Sequence, residues 1–194
     1  MIQESRRLVV GVSGASCANL AVRLLKAMQD QPGWETHLVV TEGARRTLAH
    51  EAGIGPGELE ALATCAHDLR DIGASIASGT FRTAGMAVVP CSMKTLAGIA
   101  HGYSDNLLLR AADVTLKERR KLVLVAREAP LGVIHLRNML DLAGQGVVIL
   151  PPVLTSYHGP ASVADLEDHI VGKVMAEFGL EYARFRRWQG PAGA

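Results

Sequence analysis

The sequence predicts an α/β fold in a single domain: an open, doubly wound parallel sheet covered by helices on both faces. Three observations predict it. Short continuous apolar runs alternate with stretches of helical periodicity. The apolar residues are aliphatic, since 48% of the chain is hydrophobic but only 4% is aromatic. That suits helices packed on a buried sheet better than an aromatic-rich sandwich. Finally, 194 residues form one unit able to bury roughly 70% of its unfolded surface.

The elements follow in order. Leu8 to Val12 is a short β-branched strand that breaks at Ser13-Gly14-Ala15-Ser16. Asn19 to Gln29 is helical, with Leu20, Leu24, Leu25 and Met28 on one face. Thr36 to Val40 is the second strand, Ala44 to Ala52 a helix, and Glu58 to His67 a further short helix after the break at Gly53 to Gly57. Met86 to Pro90 is the third strand, followed by a small-residue helix ending near Ala100 and a helix from Asn106 to Leu116. Lys121 to Ala126 is the fourth strand, Leu136 to Leu142 a helix, and Gly146 to Leu150 the fifth strand, closed by Pro151-Pro152. Asp165 to Phe178 is the last helix. Buried strands linked by helices require right-handed crossovers, which gives a Rossmann-like or flavodoxin-like arrangement. Residues 1–194 are expected to form one domain, with 184–194 a basic tail carrying Trp188. That tail is either a solvated end or a segment docking on a neighbouring subunit or the site.

Charge narrows the function. Lys+Arg 20 against Asp+Glu 19 leaves a net charge of +1, which argues against a general nucleic-acid binder or a polybasic membrane binder. The apolar content excludes disorder as the dominant state. No apolar run approaches the ~20 residues of a membrane span, and residues 1–7 lead into the first strand without the apolar stretch of a signal peptide. A cytoplasmic protein is expected. Cys17, Cys65 and Cys91 are odd in number, and neither they nor the seven histidines show metal-ligand spacing, so neither a disulfide scaffold nor a metal site is expected.

In an open α/β sheet, ligands bind beyond the carboxyl ends of the strands. Gly11-Val12-Ser13-Gly14-Ala15-Ser16 follows the first strand, and its small residues would let the backbone approach a phosphate at a helix start. A plain tight turn reads the same. It is not a dinucleotide fingerprint, because Ser13 stands where glycine is needed, and no Gly-Lys-Ser/Thr follows to make a P-loop. Pro90-Cys91-Ser92-Met93-Lys94-Thr95 offers a second cradle, with two hydroxyls and consecutive amides. Two cradles in one sheet favour a phosphorylated ligand. Cys91 has no base at a useful spacing, so packing is its reading.

Arg110, Asp113 and Lys117 share a helix face, while Arg119, Arg120 and Lys121 read as a solvated helix end. Arg127 and Glu128 directly follow a buried strand, where an unpaired charge is costly. They read as a functional pair, Arg for an anion and Glu for proton transfer. Glu51 reads as surface from its spacing alone. Tyr157, on the loop past the fifth strand, suits phosphate binding, ring stacking or a simple turn, and His158 reads as a loop histidine.

Several stretches together are more specific: Gly11 to Ser16, Ala77-Ser78-Gly79-Thr80, Pro90 to Ala97, Arg110 to Val114 with Leu116 to Arg120, Arg127-Glu128-Ala129-Pro130-Leu131, and Arg187-Trp188. Over about Arg7 to Gly190 the chain resembles the flavin prenyltransferases, the UbiX/Pad-type family. The resemblance implies binding of FMN and dimethylallyl monophosphate, transfer of the prenyl group to flavin N5, and ring closure at C6. It also implies delivery of prenylated FMN to a UbiD-type decarboxylase, no metal in the reaction, and a homo-dodecamer with sites between subunits. Gly14, Ala15, Ser16, Thr41, Ser92, Met93, Lys94, Thr95 and Arg127 would then hold the flavin and its phosphate. Lys117, Tyr157 and Lys173 would hold the prenyl phosphate, with Arg110 adding positive potential. Ser16, Glu51 and Glu128 would manage protons, and Ala77, Ser78 and Trp188 would shape the pocket.

Three positions depart from the family pattern: Cys17 where glycine is common, Ala126 in place of a frequent proline, and Lys173 in place of arginine, which makes a bidentate clamp a point charge. Two other readings are a flavin-dependent cysteine-type decarboxylase and a non-catalytic flavin-carrying subunit of a decarboxylase complex.

Overall fold

A computed structural model of the chain describes residues 6–190; the last four residues of the expected tail, 191–194, lie outside them. The strands are β1 (Arg6–Val12), β2 (Trp34–Val40), β3 (Cys65–His67), β4 (Gly85–Cys91), β5 (Lys121–Ala126) and β6 (Val148–Ile149). The helices are α1 (Asn19–Gln29), α2 (Glu42–Glu51), α3 (Pro56–Glu60), α4 (Met93–Ala100), α5 (Leu107–Lys117), α6 (Val133–Gly144) and α7 (Val163–Glu177). All strand pairs are parallel, in the order β3-β2-β1-β4-β5-β6. The chain first winds outward from β1 to β3 and then restarts at β4 on the other side of β1. Without the edge strand β3 the order is that of a flavodoxin-like sheet; with it, the order is the Rossmann one.

Period-two alternation along the buried strands divides the core. Leu8, Val10, Leu38 and Val40 face α1, α2, α3 and α7, while Val9, Val39, Met86 and Val88 face α4, α5 and α6. Side-chain caps start several helices: Thr41 for α2, Ser92 for α4, Asn106 for α5 and Ser162 for α7. α1 lacks one, because its cap position is Ala18.

The helix expected over Glu58 to His67 is corrected. α3 stops at Glu60, and residues 65–67 form β3. A reciprocal threonine pair explains the switch: the Thr36 amide donates to Thr64 Oγ1, and the Thr64 amide to Thr36 Oγ1, both at 3.0 Å. The pair lays the chain beside β2 and starts a third strand pairing that local periodicity cannot signal. The fifth expected strand shortens to Val148–Ile149, since Gly146 turns the chain at φ +88. α6 is longer than its pattern suggested and leaves Val133, Ile134, Leu136 and Leu140 half to two-thirds exposed. A run of exposed large aliphatic side chains is the mark of a surface meant to be covered.

Candidate functional site

The loops after β1 and β4 meet where the winding direction reverses. Ser13 is buried and binds across that junction. Its hydroxyl donates to the Pro90 carbonyl at 3.1 Å and accepts from the Ser92 amide at 2.8 Å. Ser92 in turn caps α4 by accepting from the Thr95 amide at 3.4 Å. Side-chain oxygens thus fasten both loops, and the α4 N-terminus opens onto a cavity of about 470 Å3 lined by Gly14, Thr41, Ser92, Lys94 and Thr95. A helix N-terminus with a nearby cation is an anion site in electrostatic terms.

Glycine is required at one wall. A Cβ on Gly14 would stand 2.8 Å from the Gly43 carbonyl carbon, so the loop after β1 and the start of α2 touch backbone to backbone. On Gly43 a Cβ would meet only ordinary contact, at 3.4 Å. The opposite wall comes from Asp105, Asn106 and Leu109 at the start of α5. Sequence reasoning missed these and Gly43; Asn106 alone carried a signal, as a capping residue before an apolar helix.

Glu51 is the main surprise of position. It ends α2, yet its Oε2 accepts from the amides of Cys17 at 2.9 Å and Ala18 at 3.0 Å. It therefore caps α1 from a distance, supplying what Ala18 cannot. Desolvation resists ionisation of Glu51, but hydrogen bonds from Ser16 and from the Ala18 and Cys17 amides, with the charge of Arg127, outweigh it and hold its carboxyl below the usual range. Cys17 adopts φ +79, a left-handed conformation that favours glycine; the departure at this position is one of backbone strain. Burial, opposed by Arg127, pushes the Cys17 thiol up. Burial alone pushes Cys91 up, consistent with packing and not attack.

Arg127 and Glu128 sit past β5 at the same edge, but both side chains are exposed. The burial cost that singled them out therefore does not apply. Their position and the action of Arg127 on Glu51 are what connect them to the site. Ala15 and Met93 are buried beneath the loops.

The other expected residues form two separate groups in one protomer. Lys117 ends α5, roughly 16 Å along the helix from the cavity-lining Asn106 at about 1.5 Å per residue. It pairs with Glu118 beside Gly79, next to Ala77 and Ser78. Arg110 pairs with Asp113 at 2.7 Å. Tyr157, Lys173 and Trp188 surround His169 instead. Tyr157 Oη lies 3.1 Å from His169 Nε2, and the Trp188 ring meets Tyr157 edge-on at 5.7 Å. Burial first, then His158 and Lys173, push His169 down. His158 is not a plain loop residue, since it stacks on His169 at 4.4 Å. Arg120, read as solvated, clamps the 79–83 loop by donating to the carbonyls of Gly79 at 2.5 Å and Phe81 at 2.8 Å.

Comparison with known proteins fits this architecture. A family model described as Flavoprotein matches residues 2–178. A probable UbiX-like flavin prenyltransferase of Streptomyces sp. (strain D7) is 52% identical over 188 residues, covering 97% of this chain and 94% of that protein. Two solved structures superpose with a TM-score of 0.93. One, a dodecameric FMN-dependent UbiX-like decarboxylase from Escherichia coli O157:H7, is 51% identical and covers 95% of this chain and 100% of its own. The other, AnUbiX (PadA1) in complex with FMN and dimethylallyl pyrophosphate, is 48% identical and covers 96% and 98%. On its sequence, its sheet order and this likeness over nearly its whole length, the chain belongs to the flavoprotein family and, within it, to the UbiX-like flavin prenyltransferases.

Proposed function

We propose that the chain joins the dimethylallyl group of dimethylallyl monophosphate to N5 and C6 of reduced FMN, making prenylated FMN for a UbiD-type decarboxylase. The observation that carries this reading is the cradle at the winding reversal, where Gly14 meets Gly43 and the α4 N-terminus, with Lys94 and Thr95 in its first turn, opens onto one cavity. The residues fit a flavin phosphate: amide donors, hydroxyls, one cation, and a wall where the Gly14 and Gly43 backbones pack too closely for a methyl group on Gly14. When bound, the reduced flavin supplies the electron-rich N5 and C6 atoms that accept the allylic carbon.

The remaining work falls to the chain's own side chains. Gly14, Ala15, Ser16, Thr41, Ser92, Met93, Lys94, Thr95 and Arg127 hold the flavin and its phosphate. Ionised Glu51 accepts the Ser16 hydroxyl proton in a hydrogen bond, which leaves the Ser16 oxygen as an acceptor toward the ring. Glu128 offers an exposed carboxylate at the strand end as a proton acceptor. Lys117, Tyr157 and Lys173 steady the departing phosphate, with Arg110 adding positive potential. Ala77, Ser78 and Trp188 bound the prenyl pocket.

Lys117 and Tyr157 stand apart in one protomer, so we place the phosphate site between subunits of a homo-dodecamer. The exposed aliphatic face of α6, with Val153, Leu154 and Val163, supports assembly, and the 184–194 tail is expected to reach the shared site. Among the described residues no helix is long and apolar enough to cross a membrane, and we place the protein in the cytoplasm.

Anaerobic incubation of the pure chain with reduced FMN and dimethylallyl monophosphate tests the reading. Mass spectrometry should show flavin heavier by one prenyl group, with inorganic phosphate released. Unchanged flavin mass would overturn it.

A further inference from the structure

The outer edge of the sheet carries a side-chain cluster that prenyl transfer does not use. β3 pairs with β2 in parallel register, His37 beside Cys65 and Val39 beside His67. Side chains alternate along a strand, so Cys65 and His67 share a face with in-register His37. One ring nitrogen from each histidine and the Cys65 Sγ all lie within 4.8 Å of one another. His37 Nδ1 and His67 Nε2 are 3.0 Å apart, and the Phe81 ring covers His37 edge-on at 5.1 Å. Two nitrogens bound at about 2.0–2.1 Å to a tetrahedral zinc ion stand roughly 3.3 Å apart. The two imidazoles are already near that spacing.

We propose that His37, Cys65 and His67 form a zinc site, with water in the fourth position. The donor set decides the metal: one thiolate and two imidazoles favour Zn2+ over the oxygen-seeking Mg2+ and Ca2+. Glu35 Oε2, which accepts from Arg7 Nε at 2.9 Å, stands 3.9 Å from His37 Nε2, beyond hydrogen-bond reach but on the ring nitrogen where a metal-bound histidine commonly finds a carboxylate. Coordination replaces the His37–His67 hydrogen bond and releases the Cys65 thiol proton to solvent, while both imidazoles bind as neutral bases. The ion would fasten the edge strand to β2 just before Leu69, whose carbonyl accepts from the Leu107 amide at 2.8 Å and whose side chain lines the main cavity. Its role is to hold that wall, apart from the flavin chemistry. Sequence spacing concealed the cluster because His37 is 28 residues from Cys65 and only strand pairing joins them.

The test uses the full chain, freed of metal with a chelator and dialysed against Zn2+ alone, with Co2+ as an optical probe. One ion per chain should bind, and Co2+ should show thiolate charge transfer with intense tetrahedral bands. Cys65→Ser should remove the charge transfer, and Cys65→Ser or His67→Asn should weaken Zn2+ binding more than the roughly 10- to 100-fold that outer contacts cost. Cys17→Ser should leave both unchanged. Charge transfer that survives in Cys65→Ser, or Zn2+ affinity equal in wild type and variants, would refute the site. Absence of charge transfer in the wild-type chain refutes it whether or not the variants fold.

Discussion

Glu51 offers the sharpest test, because one carboxylate joins the end of α2 to the start of α1. In Glu51→Ala the amides of Cys17 and Ala18 lose an acceptor that no side chain of α1's own cap position can replace. Loss of a helix cap costs about 0.5–2 kcal/mol, and bonds to a charged acceptor lie toward the upper end. Partial solvent exposure limits the gain, so a total of about 1–2 kcal/mol is expected. For a chain of this length that lowers the melting temperature by roughly 2–8 °C. Glu51→Gln keeps one acceptor oxygen and should lose about half as much.

The pH dependence of Glu51 has a defined sign. Its folded carboxyl titrates below the ordinary 4.5, so its contribution is present above the unfolded value and fades as pH falls through the folded one. The gap between wild type and Glu51→Gln, measured by thermal denaturation, should be constant near neutrality and shrink as pH drops below about 4.5. Equal melting of wild type and Glu51→Ala at neutral pH, or a gap that does not narrow in acid, would refute the distant-cap account.

Two further outcomes are expected. Gly14→Ala should weaken FMN binding, read by quenching of flavin fluorescence, by about tenfold or more, and should destabilise by about 1–3 kcal/mol; Gly43→Ala should do neither, since its Cβ meets only ordinary contact. Arg120→Ala should cost about 2–3 kcal/mol in urea unfolding and expose the 79–83 loop to proteolysis; a variant as stable and as resistant as wild type would show that the clamp on Gly79 and Phe81 carries no weight.

Five of the six strands were legible because each carries its own apolar run, and burial on both faces leaves such a run uninterrupted. β3 was not, since Cys65-Ala66-His67 has no such run and is held by the Thr36–Thr64 pair. The two strand-end loops that meet at the cavity were legible as small residues and hydroxyls after strands. The wall built by Asp105, Asn106 and Leu109 was not, because it reaches the cavity only through the packing of α5. Glu51 shows the limit most clearly: its spacing marks a surface helix end, and only tertiary structure puts that end against the amides of Cys17 and Ala18. Arg127 and Glu128 were singled out by a burial argument that their exposure removes, although the strand-end position behind the choice stands.

The hydroxyl of Ser13 reaches Pro90 and Ser92, 77 and 79 residues farther along the chain. Being buried, that knot cannot be exchanged for water without parting neighbouring strands. The floor of the cavity is therefore stiff. Any breathing that admits a bulky ring system must come from the outer walls, where the Leu107 amide at the start of α5 donates to the Leu69 carbonyl.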